Sequence, residues 1–135
     1  MVQDNTVNYQ LPFTLSGTVV HGRQLGRKLG FPTANLRLDE GFIFPGDHGV
    51  YTVIVHLNHQ SIPGIANAGV RPTIDGTWFQ VEIHLFDFEG DIYGQTLAVT
   101  FIHFLRPERR FNNPGELAIQ IGNDLEQAKM LFRKK

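Results

Sequence analysis

The sequence contains no cysteine. Disulfides, thiolate nucleophiles and cysteine-ligated zinc are therefore excluded. No apolar run approaches the roughly 20 residues that a membrane-spanning helix needs, so no membrane partner is expected. Neither charge is in large excess, with 12 Lys and Arg against 13 Asp and Glu. A continuous basic stripe, the footprint of a broad nucleic-acid surface, is missing, and no nucleic-acid partner is expected. A small nucleotide needs only a local positive cluster and stays within reach. The opening MVQDNTVNYQ has neither a basic n-region nor an apolar h-region. No signal peptide is read there, and the expected location is the cytoplasm.

Hydrophobic residues make up 41% of the 135 residues, a composition that buries a core rather than staying disordered. The length fits one domain. The reading is an N-terminal extension over 1–12 and one domain over 13–135, without internal repeat or linker. Eleven Phe are unusual for so short a chain. They fill a core, line an aromatic ligand pocket, or both.

From Phe13 to His103 the pattern is that of short strands separated by turn residues. Strands are expected at Phe13 to His21, His48 to Leu57, Ser61 to Ala68, Trp78 to Phe88 and Thr96 to Leu105. In the fourth, Val81, Ile83 and Leu85 alternate with Gln80, Glu82, His84 and Phe86, so the two sets face opposite ways. Turns fall at His21-Gly22, Asp75-Gly76 and Glu89-Gly90. Many strands without an intervening helix predict antiparallel pairing and a closed barrel. The C-terminal stretch differs. Asn113-Pro114-Gly115-Glu116 has the order of a helix start, with Asn113 as N-cap, Pro114 at N1 and Glu116 at N3. Leu117, Ile121, Leu125, Ala128 and Phe132 then recur at three and four residues, a stripe suited to packing on the outside of the barrel. Gly122 weakens this helix without ending it.

Several segments can carry chemistry. In HGRQLGRKLGFPTAN, from His21 to Asn35, Gly22, Gly26 and Gly30 recur every four residues among Arg23, Arg27 and Lys28. Backbone amides freed by glycine, with cations beside them, can cradle phosphates; an ordinary Gly-rich surface loop has the same composition. The segment is neither a Walker A loop nor a dinucleotide fingerprint. Pro32 fixes its own φ and holds Phe31 extended. Thr33 and Asn35 then share one face and offer two neutral oxygens, which suits Mg²⁺ beside phosphates but also a plain Asn turn. Glu82 is the acid in the middle of a strand: an orienting base for a hydroxyl, or a solvated barrel residue. Arg106, Arg109 and Arg110 follow the last strand with Glu108 and Phe111, and Arg stacks on planar rings or pairs with phosphate. A solvated basic turn is the plainer reading. The six His form no metal-binding pattern, and Asp87 and Asp91 around Glu89 suit a solvated turn better than a calcium loop. Trp78 is expected to pack.

Several of these motifs, in this order, resemble the riboflavin kinase family, which also occurs as the C-terminal module of bifunctional bacterial FAD synthetases. GRQLGRKLGFPTAN resembles its signature segment. Pro45-Gly46 with Gly49-Val50-Tyr51 resembles a P-x-x-G-V-Y strand start. NAGVRPT, Asn67 to Thr73, resembles N-x-G-x-R-P-T. VEIHLFDF, Val81 to Phe88, resembles its E-x-H strand, followed by Tyr93-Gly94. Leu105 to Phe111 resembles L-R-x-E-x-x-F. The resemblance runs from about Phe13 onward.

It implies a six-stranded antiparallel Greek-key barrel with a C-terminal α-helix packed outside. It implies transfer of the γ-phosphoryl group of Mg-ATP to the 5′-hydroxyl of riboflavin, giving FMN. Gly22, Arg23, Gly26, Arg27, Lys28, Gly30 and Pro32, with Thr33 and Asn35, would bind ATP. Thr33 and Asn35 would hold Mg²⁺, and Glu82 would be the base. Arg106, Glu108, Arg109 and Phe111 would close over riboflavin. A covalently linked N-terminal adenylyltransferase domain is a further possible partner. The competing reading is a barrel that binds FMN or a nucleotide without catalysis.

Overall fold

The computed structural model describes residues 11–20, 33–39, 42–74, 76–88 and 90–133. Six strands form a closed antiparallel barrel: β1 Phe13–Val20, β2 Ala34–Arg37, β3 Gly49–Leu57, β4 Gln60–Thr73, β5 Gly76–Leu85 and β6 Thr96–Pro107. Around the barrel the order is β1-β2-β5-β4-β3-β6, and β6 closes onto β1. β3, β4 and β5 follow one another as hairpins while β2 lies beside β5, the Greek-key arrangement. One helix, α1 Pro114–Arg133, follows the last strand among the described residues.

Alternation writes the barrel wall. On β1, Leu15, Gly17 and Val19 are buried while Thr14, Ser16 and Thr18 are exposed. The interior is filled by Leu15, Leu36, Val53, Val55, Val81, Ile83, Leu97 and Val99, among others. Part of the Phe content answers to packing. Phe13 stacks on Phe101 with centroids 5.1 Å apart, and Phe44 meets Phe13, Tyr51 and Phe101 edge-on. The β3–β4 turn is the two residues Asn58 and His59, at φ 49° and 67°, the left-handed pair that matches strand twist.

The strand boundaries differ from the sequence reading where backbone pairing overrides composition. β4 continues past Ala68 to Thr73, because Gly69 to Thr73 pair with Gly76 to Gln80. β5 starts earlier, at Gly76, and ends at Leu85; a turn follows, with Asp87 at φ 51°. β2 is a strand that the sequence reading took only as an extended segment.

The helix begins as its sequence predicts. The Glu116 amide donates to Asn113 Oδ1 at 2.9 Å, and the Glu116 carboxylate accepts from the Asn112 amide at 3.2 Å. Its apolar stripe packs outside the barrel: Ala128, Leu125 and Phe132 sit against Val50, Ile65, Phe86 and Leu105. Gly122 leaves it unbroken. Among the described residues no helix is long and apolar enough to cross a membrane.

Candidate active site

β2, β5 and β4 lie side by side, and their register decides which side chains meet. Leu36 pairs with Val81, Ala68 also pairs with Val81, and all three are buried in the core. The alternate residues therefore face outward. Asn35 stands opposite Glu82, and Glu82 stands opposite Asn67, so three polar side chains form a row across three strands. Thr33, two residues before Asn35, reaches Glu82: Thr33 Oγ1 lies 3.5 Å from Glu82 Oε2. Thr33, Asn35 and Glu82, which the sequence singled out separately, are thus brought together.

Asn35 is buried although it faces outward, and its Oδ1 accepts from Gln80 Nε2 at 2.9 Å. Gln80 is two residues before Glu82 and opposite Gly69. A Cβ at position 69 would collide with the Glu108 carboxylate, so the absence of a side chain lets the segment after β6 approach β4. Arg71 Nη1 donates to Glu108 Oε2 at 2.8 Å and to the Val70 carbonyl at 3.0 Å. This fastens the β6–α1 connection beside the polar row. Trp78 departs from its expected packing role: it is 39% exposed, with the Arg37 guanidinium 5.0 Å above its ring.

The basic segment after β6 divides by partner. Arg106 donates from Nε and Nη2 to the two oxygens of Asp124, at 2.9 and 2.8 Å, and from Nη1 to the Pro107 carbonyl at 3.1 Å. Its fork is engaged within the chain, tying β6 to α1 through a carboxylate only 3% exposed. Gln120 Nε2 donates to Asp124 Oδ1, and Arg109 Nη1 donates to Gln120 Oε1 at 2.7 Å. The Arg109 guanidinium also lies 5.0 Å over the Phe111 ring. Arg109, Glu108 and Phe111 thus sit together on a connection anchored at both sides. Gly22, Arg23, Gly26, Arg27, Lys28, Gly30 and Pro32 lie outside the described residues.

The sequence reading gave no role to Asn67, Gln80, Arg71 or Asp124. Asn67 had a signal, an amide between two small apolar residues on a strand. Asp124 had another, a carboxylate three residues after Ile121 and four before Ala128, within the apolar stripe. Two histidines pair with threonines: His103 Nδ1 with the Thr52 hydroxyl at 2.9 Å, and His56 Nε2 with the Thr100 hydroxyl at 2.9 Å.

The class the fold defines is a closed six-stranded antiparallel barrel with a C-terminal helix outside, and hydroxyl, amide and carboxylate oxygens gather on one outward wall. The comparisons narrow that class. A family model described as "Flavokinase: Riboflavin kinase" matches residues 9–132, and the chain belongs to this family of phosphotransferases. It is 47% identical over 122 residues to the bifunctional riboflavin kinase/FMN adenylyltransferase of Haemophilus influenzae, covering 90% of this chain and 39% of that one. The chain thus spans about two fifths of that relative's length. The riboflavin kinase structure from Trypanosoma brucei superposes with a TM-score of 0.68 at 27% identity, covering 94% of this chain and 83% of that one. The structure of a Streptococcus pneumoniae protein named macrolide-efflux protein superposes with a TM-score of 0.79 at 37% identity, covering 87% of this chain and 38% of that one.

Proposed function

We propose that this chain moves the γ-phosphoryl group of ATP onto the 5′-hydroxyl of riboflavin, giving FMN and ADP. The observation that carries this reading is the meeting of Thr33, Asn35 and Glu82 on one outward wall of a riboflavin kinase family barrel. In the reaction the ribityl oxygen forms its bond to the γ-phosphorus, the bond to the leaving ADP oxygen breaks, and ADP departs with the electron pair. Glu82 orients the attacking hydroxyl and takes its proton late, because a carboxylate is far too weak a base to ionise an alcohol beforehand. A strand holds such a side chain rigidly, and phosphoryl transfer depends mainly on positioning and electrostatics.

The donor set suits Mg²⁺. The Thr33 hydroxyl, the Asn35 amide oxygen and the nearby Glu82 carboxylate are hard oxygen donors on adjacent strands. Among the described residues no group of three or more His, Cys, Asp or Glu could hold a metal ion instead. Thr33 and Asn35 are the residues assigned to the ion, which when bound neutralises charge on the phosphoryl oxygens. The phosphate cradle is assigned to Gly22, Arg23, Gly26, Arg27, Lys28, Gly30 and Pro32 on the family resemblance. Glu108, Arg109 and Phe111 are assigned to the flavin ring, supported by the Arg109 guanidinium over Phe111. Arg106 contributes by holding the connection and helix that carry them.

The kinase domain is taken as residues 13–135, working in the cytoplasm where ATP is supplied. A fused adenylyltransferase domain, as named for the Haemophilus influenzae relative, belongs to this reading of the whole protein. The test is a product assay on this chain with riboflavin, ATP and Mg²⁺, separating FMN from FAD. FMN without FAD is expected. Flavin binding without turnover would favour a binding module instead, and FAD from the purified chain would overturn the division of labour.

A further inference from the structure

Asn67 carries a polar atom to which the reaction above gives no role. Its Oδ1 is buried with no hydrogen-bond partner, alone in this among the buried side-chain nitrogen and oxygen atoms of the described residues. A buried acceptor without a donor costs about 1–3 kcal/mol, so such an atom needs an explanation. Its position supplies one. Asn67 is directly opposite Glu82, and the flanking Ala66 and Ala68 are buried in the core, so the Asn67 side chain lies on the Glu82 face. Side chains paired this way have Cβ atoms about 4.5–5.5 Å apart.

Among the described residues no group donates to Asn67 Oδ1. On the far strand its partner is Val50, which is apolar. Glu82 and Glu108 present carboxylate oxygens, which are acceptors. Gln80 Nε2 is given to Asn35, and Arg71 Nη1 to Glu108 and the Val70 carbonyl. Among the described residues the Asn67 acceptor is therefore left open beside the Glu82 carboxylate. Sharing one Mg²⁺ with Asn35 is disfavoured by distance. The order β2-β5-β4 separates Asn35 from Asn67 by two strand spacings, roughly 9.5 Å, while Mg²⁺ binds oxygen at about 2.0–2.1 Å. What complements two adjacent acceptors is a ligand with hydroxyl donors on successive carbons.

We propose that Asn67 Oδ1 accepts a hydrogen bond from a hydroxyl of the acceptor's polyol chain, beside the hydroxyl that Glu82 orients. This rests on the riboflavin kinase reading and deepens it: Asn67 becomes the residue that recognises the ribityl chain. A site that hydrogen-bonds a substrate hydroxyl strongly rejects an analogue lacking it, because the buried partner is then left unpaired.

The test uses Asn67→Leu, which keeps the volume and removes the amide. Steady-state kinetics are compared for riboflavin and for analogues lacking one ribityl hydroxyl at a time, at saturating Mg-ATP, with separate titrations of ATP and Mg²⁺. The unmodified chain is expected to discriminate against one of these analogues. The variant is expected to lose at least about tenfold in kcat/KM for riboflavin and to lose that discrimination, with the KM for ATP and the Mg²⁺ requirement within about twofold of the parent. Unchanged discrimination, a kcat/KM within about threefold, or an increased Mg²⁺ requirement would each overturn the assignment. Should Asn67→Leu fail to fold by circular dichroism, Asn67→Ala, which also lacks a side-chain acceptor, carries the same comparison. If the unmodified chain forms no FMN, the phosphotransfer reading fails by itself. The change in the fluorescence of riboflavin and of the same analogues on binding to parent and variant then decides the role of Asn67: equal affinities for all of them overturn it.

Discussion

The barrel wall has two different exteriors. On one side Val50 of β3, Ile65 of β4 and Phe86 just after β5 present an apolar patch, and α1 covers it with Ala128, Leu125 and Phe132. Over β2, β5 and the other edge of β4 they are Thr33, Asn35, Glu82, Gln80 and Asn67, a row that presents oxygens. The change occurs between one pair of residues, Val50 on β3 and Asn67 on β4, which face each other in register. Each exterior also holds a carboxylate. Asp124 is 3% exposed and clasped by Arg106, whereas among the described residues Glu82 meets only the Thr33 hydroxyl at 3.5 Å. A satisfied carboxylate fastens structure; an incompletely partnered one on a rigid strand is free to meet a substrate. The same strand geometry thus serves packing on one side and, in the proposed reading, chemistry on the other.

The sharpest way to break the covered side is Arg106→Leu. It leaves the Asp124 carboxylate buried with Gln120 as its remaining partner, and removing one member of a buried pair costs about 3–5 kcal/mol. The midpoint of urea unfolding should drop accordingly. Riboflavin affinity is expected to fall along with it, because Arg106 holds the connection that carries Glu108, Arg109 and Phe111. A large loss of affinity with unchanged stability would move Arg106 to the flavin side.

The polar side should respond in the opposite sense. Thr33→Ala and Asn35→Ala are each expected to lower turnover at least about tenfold while circular dichroism stays near normal, since each removes an oxygen from an octahedral set. Full activity in either variant at ordinary Mg²⁺ would remove it from the metal assignment. The smallest effect is expected at the boundary. Glu108→Gln loses a partly exposed ion pair with Arg71, worth about 0–1 kcal/mol, while Gln can still accept from Arg71. A loss of stability well beyond that in chemical denaturation would show that this bridge supports the whole β6–α1 connection.

Much of this was legible in the sequence. The alternation of Val81, Ile83 and Leu85 with Gln80, Glu82 and His84 already separates core face from outer face, and Asn113-Pro114-Gly115-Glu116 marks the helix start by capping chemistry. β2 was harder. Four residues with a proline close by give no period to count, and they become a strand only because β1 and β5 offer backbone partners on both sides. The row itself was out of reach because register is a non-local property: nothing in the separation between Asn35, Asn67 and Glu82 says that they stand side by side. Arg106 carries the same lesson. Its type suits a ligand contact, and nothing near it in the sequence says that its Nε and Nη2 also meet Asp124, well inside α1.

The central claim is that the polar wall performs the phosphoryl transfer with Glu82 at its centre. Its most direct test is the single-turnover rate of FMN formation by Glu82→Gln with saturating riboflavin and Mg-ATP, with flavin binding followed by fluorescence. Gln keeps the size and an acceptor oxygen but cannot serve as the carboxylate base. General acid–base assistance is typically worth about 10²–10⁴-fold, so a loss of that order with riboflavin binding retained is the predicted result. A variant that forms FMN within about threefold of the parent rate would contradict the claim and return Glu82 to the status of a solvated residue on the barrel wall.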